Sequence, residues 1–173
     1  GAGEQAVAAA FPNATILRPS TVFGQEDQFL NRFAQMIARL PVVPVLRPQV
    51  RFQPVFAADV GEAIRAAAAD PGEYGARTFE LGGPDRLSMI ELQRWIAETI
   101  HRRPAFLELP DVAGALIARM GFLPGAPITT DQWLMLQQDN VVAPEAAGLE
   151  ALGVTPTPLA TVALSSYGFV VAA

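Results

Sequence analysis

Two short runs constrain the fold of this chain more than any other feature. Residues 14–18 (Ala-Thr-Ile-Leu-Arg) and 78–81 (Thr-Phe-Glu-Leu) are rich in apolar and β-branched side chains. They are stopped by Pro19 and by Gly82-Gly83-Pro84. Short apolar runs between breakers predict strands, and residues 14–18 read as a strand buried on both faces. The intervening sequence repeats at helical spacing. Residues 25–40 set Phe29, Phe33, Met36, Ile37 and Leu40 three and four apart, and 59–70 do the same with Val60, Ala63, Ile64 and Ala67. Ser88-Met89-Ile90-Glu91 is a capping box that opens a helix to residue 100, burying Leu92, Ile96 and Ile100. Strands alternating with helices predict a parallel sheet with crossover helices. Two central strands cannot cover those helices, so much of the sheet is expected to lie outside these 173 residues.

The remaining segments are less regular. Residues 1–11 form an Ala-rich helix that ends before Pro12 and lacks a starting cap, which reads as the tail of a longer helix. Residues 42–46 and 51–56 are extended, but Pro41, Pro44, Pro48 and Pro54 make them edge strands or loops. A strand-like piece at 106–109 precedes helices at 112–120 and 130–138, a turn of helix at 145–152, and an apolar tail from 155. Trp95 and Trp133 fall on helices among apolar neighbours and read as packing residues.

Composition excludes several chemistries. There is no cysteine, which removes disulfides, thiolate metal sites and thiol nucleophiles. The single histidine, His101, stands beside Arg102 and Arg103 at a helix end, where positive charge suits the helix dipole. A net charge of -5 argues against nucleic acid as a partner. No run approaches the roughly 20 apolar residues of a spanning helix, so direct membrane insertion is not expected. All twelve basic residues are arginine, and the chain contains no lysine.

Residues 14–29, ATILRPSTVFGQEDQF, carry the most chemical information. A strand runs into Arg-Pro, a hydroxyl pair, Val-Phe-Gly and an acidic helix start. In open α/β sheets, ligands sit at the carboxyl ends of strands, and free backbone groups at Ser20, Thr21 and Val22 are placed to meet a carboxamide. As a nucleophile pair, Ser20 and Thr21 lack a histidine placed to activate them. Asp59, like Glu26 and Asp27, reads as a helix-start cap or dipole partner. Arg51 and Gln53 leave an edge strand toward the expected cleft, as substrate or phosphate contacts or, for Arg51, as an ordinary solvated side chain.

Strand-R-P-x-x-V-[FY]-G resembles the segment after the Tyr-x-x-x-Lys helix of extended and atypical short-chain dehydrogenases/reductases, the NAD-dependent epimerase/dehydratase superfamily. Gly3-Glu4 and the helix around it resemble the continuation of that catalytic helix, and RFQPVFAADV at 51–60 resembles the family's Q-P-V-[YF]-[VA]-x-D-V-A segment. Three further stretches narrow the resemblance: Gln25-Glu26-Asp27 with Phe29-Leu30-Asn31-Arg32-Phe33, Phe79 to Pro84, and Asp139-Asn140-Val141-Val142. They are similar to the NAD(P)H-binding accessory subunits of respiratory complex I and their bacterial relatives.

The resemblance implies an α/β fold, the C-terminal part of a Rossmann-type doubly wound parallel sheet with a mainly helical substrate or partner lobe. Residues 1–82 would be the back half of the dinucleotide-binding domain, with a lobe insertion near 25–50, and 83–173 the lobe. It implies NAD or NADP in the parent protein, with Pro19, Ser20, Thr21 and Val22 at the nicotinamide edge. Arg51 and Gln53 would face substrate. The family's G-x-x-G-x-x-G loop and its Tyr-Lys pair are absent here, so no catalytic residue is assigned and binding by this chain alone is expected to be weak or nil. The implied role is accessory, without turnover. The expected partners are a second copy or the missing N-terminal half, and complex I; the expected location is cytoplasmic, peripheral at the inner membrane through a partner. The alternatives are a truncated oxidoreductase or sugar-nucleotide epimerase/dehydratase, and a standalone interaction module.

Overall fold

The computed structural model describes residues 1–25, 27–119 and 130–166, with the backbone alone at 28, 117–119, 130–132 and 163–166. The chain runs α1 (Ala2–Ala10), β1 (Ile16–Pro19), β2 (Val22–Phe23), α2 (Gln28–Arg39), β3 (Val42–Leu46), β4 (Arg51–Phe52) and β5 (Val55–Phe56). It continues through α3 (Ala57–Ala69), α4 (Pro71–Tyr74), β6 (Thr78–Leu81), β7 (Leu87–Ser88), α5 (Met89–Thr99), β8 (Ala105–Leu109), α6 (Asp111–Arg119) and α7 (Thr130–Met135). A 3-10 turn (Leu149–Leu152) and α8 (Leu159–Ser166) follow. The chain divides into two compact units, one formed by Gly1–Gln25, Gln53–Asp85 and residues 141–166, the other by Glu26–Phe52 and Arg86–Asn140. Residues 141–166 thus group with the first unit, whereas the sequence-based division places everything past residue 82 in the lobe.

In the first unit the two runs singled out from sequence lie side by side. β1 and β6 pair in parallel, from Ile16 opposite Thr78 to Pro19 opposite Leu81. β2 and β5 form a second parallel pair, with Val22 opposite Val55. The core gathers Val55, Ala63, Ala67, Phe79, Leu81, Leu149 and Leu152, with Leu17, Val60, Tyr74 and Val154 packed against it. Two expectations are corrected here. β1 is not buried on both faces: Ile16 and Leu17 are half-buried and Arg18 and Pro19 exposed. It has a strand neighbour on one side among the described residues, and Arg18 turns outward to Glu4 and Glu80. Ile64 is 55% exposed rather than inward. The buried stripe of α3 is narrow, Asp59, Ala63 and Ala67 at four-residue steps, and Ile64 lies one 100° step off it.

The second unit has its own core of Val45, Val50, Phe52, Met89 and Ile90, with Phe29, Phe33, Phe106 and Leu136 around it. Phe29 meets Phe33 edge to face at 5.1 Å and Phe52 at 5.5 Å; such pairs add about 1 kcal/mol each beyond simple burial. The prolines at 41–48 suggested an edge strand or loop, and β3 is an edge strand: among the described residues it pairs with β8 alone, in parallel, Pro44 opposite Leu107, with Val43 and Val45 fully buried. Proline is tolerated at such an edge because no second row of donors is needed there. β4 pairs antiparallel with β7. The capping box at Ser88 forms as read: Ser88 Oγ accepts from Glu91 N–H at 3.4 Å, and a Glu91 carboxylate oxygen accepts from Ser88 N–H at 2.8 Å. Asp27 also caps as expected, accepting from Leu30 N–H at 2.7 Å. Glu26 lies outside the described residues.

Candidate functional site

In the first unit, the parallel pair β1–β6 ends at Pro19 and Leu81, so the segments Ser20 to Val22 and Gly82 to Pro84 leave the sheet at the same carboxyl edge. That edge is where α/β sheets hold ligands. The backbone there is not open as expected. Ser20 N–H donates to Leu81 C=O at 2.9 Å, and Thr21 C=O accepts from Val55 N–H at 2.9 Å. These bonds carry the chain from β1 into β2. The side chains of this segment are half-buried Ser20 and Thr21 between exposed Pro19 and Val22, the latter 39% exposed.

Gln53 is buried at 8% exposure, with both ends of its amide in use. Its Nε2 donates to Gly83 C=O at 2.8 Å, and its Oε1 accepts from Val142 N–H at 3.0 Å. Gly83 N–H in turn donates to Pro54 C=O at 3.0 Å. Gln53 therefore clamps the turn after β6 to the segment from Val141. The contact requires glycine at both turn positions. A Cβ at Gly82 would stand 2.6 Å from Val142 Cγ2 and 2.7 Å from the Gln53 amide, and one at Gly83 would stand 2.1 Å from Pro54 C=O. Gly82, Gly83 and Val142 were not singled out as site residues. Their signal was the Gly-Gly-Pro turn directly after a strand, together with the Asp-Asn-Val-Val run.

Arg51 belongs to the second unit. Its backbone is tied to the start of the same late run: Arg51 N–H donates to Asp139 Oδ1 at 2.9 Å, and Arg51 C=O accepts from Asn140 N–H at 2.8 Å. Its guanidinium makes no ion pair among the described residues. Asp59 does not cap α3; it is 7% exposed and accepts from Thr157 N–H at 2.7 Å and Thr157 Oγ1 at 2.8 Å. It stands in the first turn of α3, where an acidic residue suits the helix dipole as expected, but its carboxylate faces inward and is taken up by Thr157 instead of by the helix's own N–H groups.

On the outer side of β1, Arg18 donates to both carboxylate oxygens of Glu4, at 2.9 and 2.6 Å, and to Glu80 at 3.3 Å. The Arg18 guanidinium holds the Glu4 carboxyl well below its usual 4.5, at about 2. Glu80 also accepts from Ala143 N–H at 2.9 Å.

The second unit has a cavity of about 400 Å³ at the carboxyl ends of its own parallel pair, lined by Arg47, Gln49, Asp111, Gln137 and Asp139 with Pro48 and Val50. Arg47 has a left-handed backbone (φ 50), pairs with Asp111, and donates to the carbonyls of Leu136 at 3.3 Å and Gln137 at 3.4 Å. Non-glycine residues hold that conformation at a cost, so surrounding contacts must secure it. Sequence reasoning missed this cavity, though Arg47 and Asp111 each stand just beyond a strand. Among the described residues no cluster of three metal-ligating side chains occurs, and no described helix is long and apolar enough to cross a membrane.

No family model matches the chain. Curated relatives do. The chain is 39% identical over 161 residues to "NADH dehydrogenase [ubiquinone] 1 alpha subcomplex subunit 9, mitochondrial" of Rattus norvegicus, covering 91% of this chain and 42% of that protein. It is 35% identical to the protein of the same name from Arabidopsis thaliana, with the same coverage. A ceramide reductase of Caulobacter vibrioides is 32% identical over 130 residues, covering 73% of this chain and 41% of that protein. The chain thus spans about two fifths of the length of these relatives. Among solved structures, an NADPH-dependent quinone oxidoreductase of Escherichia coli superposes with a TM-score of 0.67 at 13% identity over 93% of this chain and 56% of that one. A nucleoside-diphosphate-sugar epimerase of Staphylococcus aureus gives 0.65 at 13% identity over 91% and 54%. At such identities the structures bear on the fold, and the fold is the Rossmann-like one expected. By sequence the chain is similar to these complex I subunits, and by fold it is Rossmann-like, as the reductase and epimerase structures are.

Proposed function

We propose that this chain forms the nicotinamide edge and the substrate or partner lobe of an NAD(P)-binding, dehydrogenase-like protein, and that its role is accessory, within a complex I-type assembly. The observation that carries the reading is the carboxyl edge of β1–β6, where Pro19, Ser20, Thr21 and Val22 leave the sheet beside Gly82 and Gly83. The relatives named as NADH dehydrogenase subunits support the assembly. NAD or NADP, when bound, supplies a hydride-accepting or hydride-donating ring. Ser20 and Thr21 would orient its carboxamide, and Pro19 and Val22 would exclude water from its faces.

The accessory role, in which a ring is held rather than turned over, is supported by the relatives named as NADH dehydrogenase subunits. Arg51 is the residue of this reading that stays available to a substrate or phosphate, while the Gln53 amide acts on the backbone around it. A location at the inner membrane would come through the assembly.

The test is native electrophoresis of detergent-solubilised respiratory membranes, probing for the full protein. Comigration with NADH:quinone oxidoreductase activity is expected, and nicotinamide nucleotide should be released when the complex is denatured. Migration of the protein wholly apart from that activity would reject the accessory reading. The similarity to a ceramide reductase supports a second reading, a turnover enzyme acting with the same cofactor. Reduced nucleotide consumed by the purified full protein with a long-chain ketone would favour it.

A further inference from the structure

The second unit holds a group of cations that the reading above does not use. α2 ends at Arg39 and α5 at Thr99, and a cavity of about 310 Å³ opens beside both ends. It is lined by Arg39, Arg102 and Arg103, with Leu40, Pro41 and Pro104. No carboxylate lines it, and among the described residues none of the three guanidiniums is ion-paired. The nearest acidic residue along the chain is Glu98, exposed in the last turn of α5. Three unpaired arginines around one cavity are unexpected in a chain of net charge -5.

Helix capping accounts for part of this charge and not for all of it. Arg102 donates from Nη2 to Ala38 C=O at 2.8 Å, which satisfies one open carbonyl of α2. Each helix C-terminus carries about half a negative charge, so two of them balance roughly one arginine. An excess of about two positive charges remains, which matches a phosphate dianion. The turn that sets the arginines is also built: His101 has a left-handed backbone (φ 55), with His101 N–H donating to Glu98 C=O at 3.1 Å and Arg102 N–H to Ala97 C=O at 2.8 Å. That closure reverses the chain after α5 and sends Arg102 and Arg103 to the end of α2. Ala105 N–H then donates to Pro41 C=O at 2.9 Å, which pins the other rim. Guanidiniums are the side chains best shaped for phosphate, offering paired donors in a fixed fork.

We propose that Arg39, Arg102 and Arg103 form a binding site for a dianionic phosphate group. The volume is that of a small ligand site and exceeds what bare phosphate needs, so a larger phosphorylated molecule or a phospholipid headgroup fits. The site stands independently of any cofactor held in the first unit.

The experiment is calorimetric titration of the full protein with inorganic pyrophosphate, run beside flotation with phosphatidylcholine vesicles with and without phosphatidylglycerol. Saturable binding in either arm is expected, weakened about tenfold or more in the Arg39→Gln/Arg103→Gln variant, which leaves the Arg102 cap intact. Arg65→Gln/Arg77→Gln, which removes the same charge from the first unit, should leave binding unchanged. Pyrophosphate binding alone assigns the site to soluble phosphate, and vesicle binding alone assigns it to headgroups. Absence of saturable binding in both arms overturns the proposal, as does binding that the two double variants weaken equally. Thermal melts of each variant separate lost binding from lost folding.

Discussion

Gln53 and Gly83 are joined in both directions: the Gln53 amide donates to Gly83 C=O at 2.8 Å, and Gly83 N–H donates to the carbonyl of Pro54, the residue after Gln53, at 3.0 Å. This closed loop of bonds holds the turn after β6 at a distance that a side chain on Gly83 would forbid. Gly83→Ala should cost about 3 kcal/mol, because its methyl would meet an immovable carbonyl. Gly82→Ala should cost about 1 kcal/mol, since it meets the movable ends of Gln53 and Val142. Urea midpoints of the two variants check the order, and equal midpoints would contradict it.

Gln53→Ala strands a buried backbone group, Gly83 C=O, and a half-buried one, Val142 N–H. A loss of about 3 kcal/mol is expected. Gln53→Glu keeps the acceptor for Val142 but points an oxygen at the Gly83 carbonyl, so it should destabilise at neutral pH and recover on acidification, when the carboxyl can donate. Denaturation curves at the two pH values would show this, and a pH-independent loss would argue against a direct Gln53–Gly83 bond.

The Asp59–Thr157 contact predicts a measurable coupling. Asp59→Ala should cost about 2 kcal/mol and Thr157→Val about 1 kcal/mol, with the double variant costing less than their sum by about 1 kcal/mol. If Asp59 acted as a helix cap, the two losses would simply add.

Glu4 and Arg18 predict a pH response confined to α1. The folded Glu4 carboxyl lies at about 2, below its ordinary 4.5. A depressed carboxyl contributes fully above the ordinary value and is lost as pH falls through the folded one. The tie between α1 and β1 should therefore hold at neutral pH and loosen as pH drops from about 4.5 toward about 2. Both partners are exposed, so added salt should weaken it. A carbon-detected titration of Glu4 is the measurement; a midpoint near 4.5 would mean that the pair does not persist in solution.

Gly114 sits under the ring of Trp133, where a Cβ would stand 2.3 Å from the nearest ring carbon. Gly114→Ala should move the indole, lower stability by about 2 kcal/mol and red-shift the tryptophan emission. An unchanged spectrum would show that α6 and α7 do not pack this way.

The elements themselves were legible because their signals are local. The strand at 78–81, the caps at Asp27 and Ser88, and the aromatic stripe of α2 depend on neighbours three or four residues away, and the structure has them where sequence predicts them. The likeness to the complex I subunits was legible for the same reason, through short motifs such as RPSTVFG. Side-chain partners were not. Asp59 finds Thr157 across 98 positions and Gln53 finds Val142 across 89, and no periodicity encodes such distances. So Asp59 read only as a cap or dipole partner and Gln53 as a cleft residue, whereas both are buried and hydrogen-bonded to distant segments. The same holds for Ser20 and Thr21, whose backbone seemed open until Leu81 and Val55 came beside it. The sequence by itself determined where the chain is helical, where it is extended and which proteins it resembles, because backbone propensity and motif are properties of contiguous residues. Only the tertiary structure decided which polar groups are spent on holding the fold and which remain to meet a ligand, because a hydrogen bond goes to whichever group folding brings within about 3 Å.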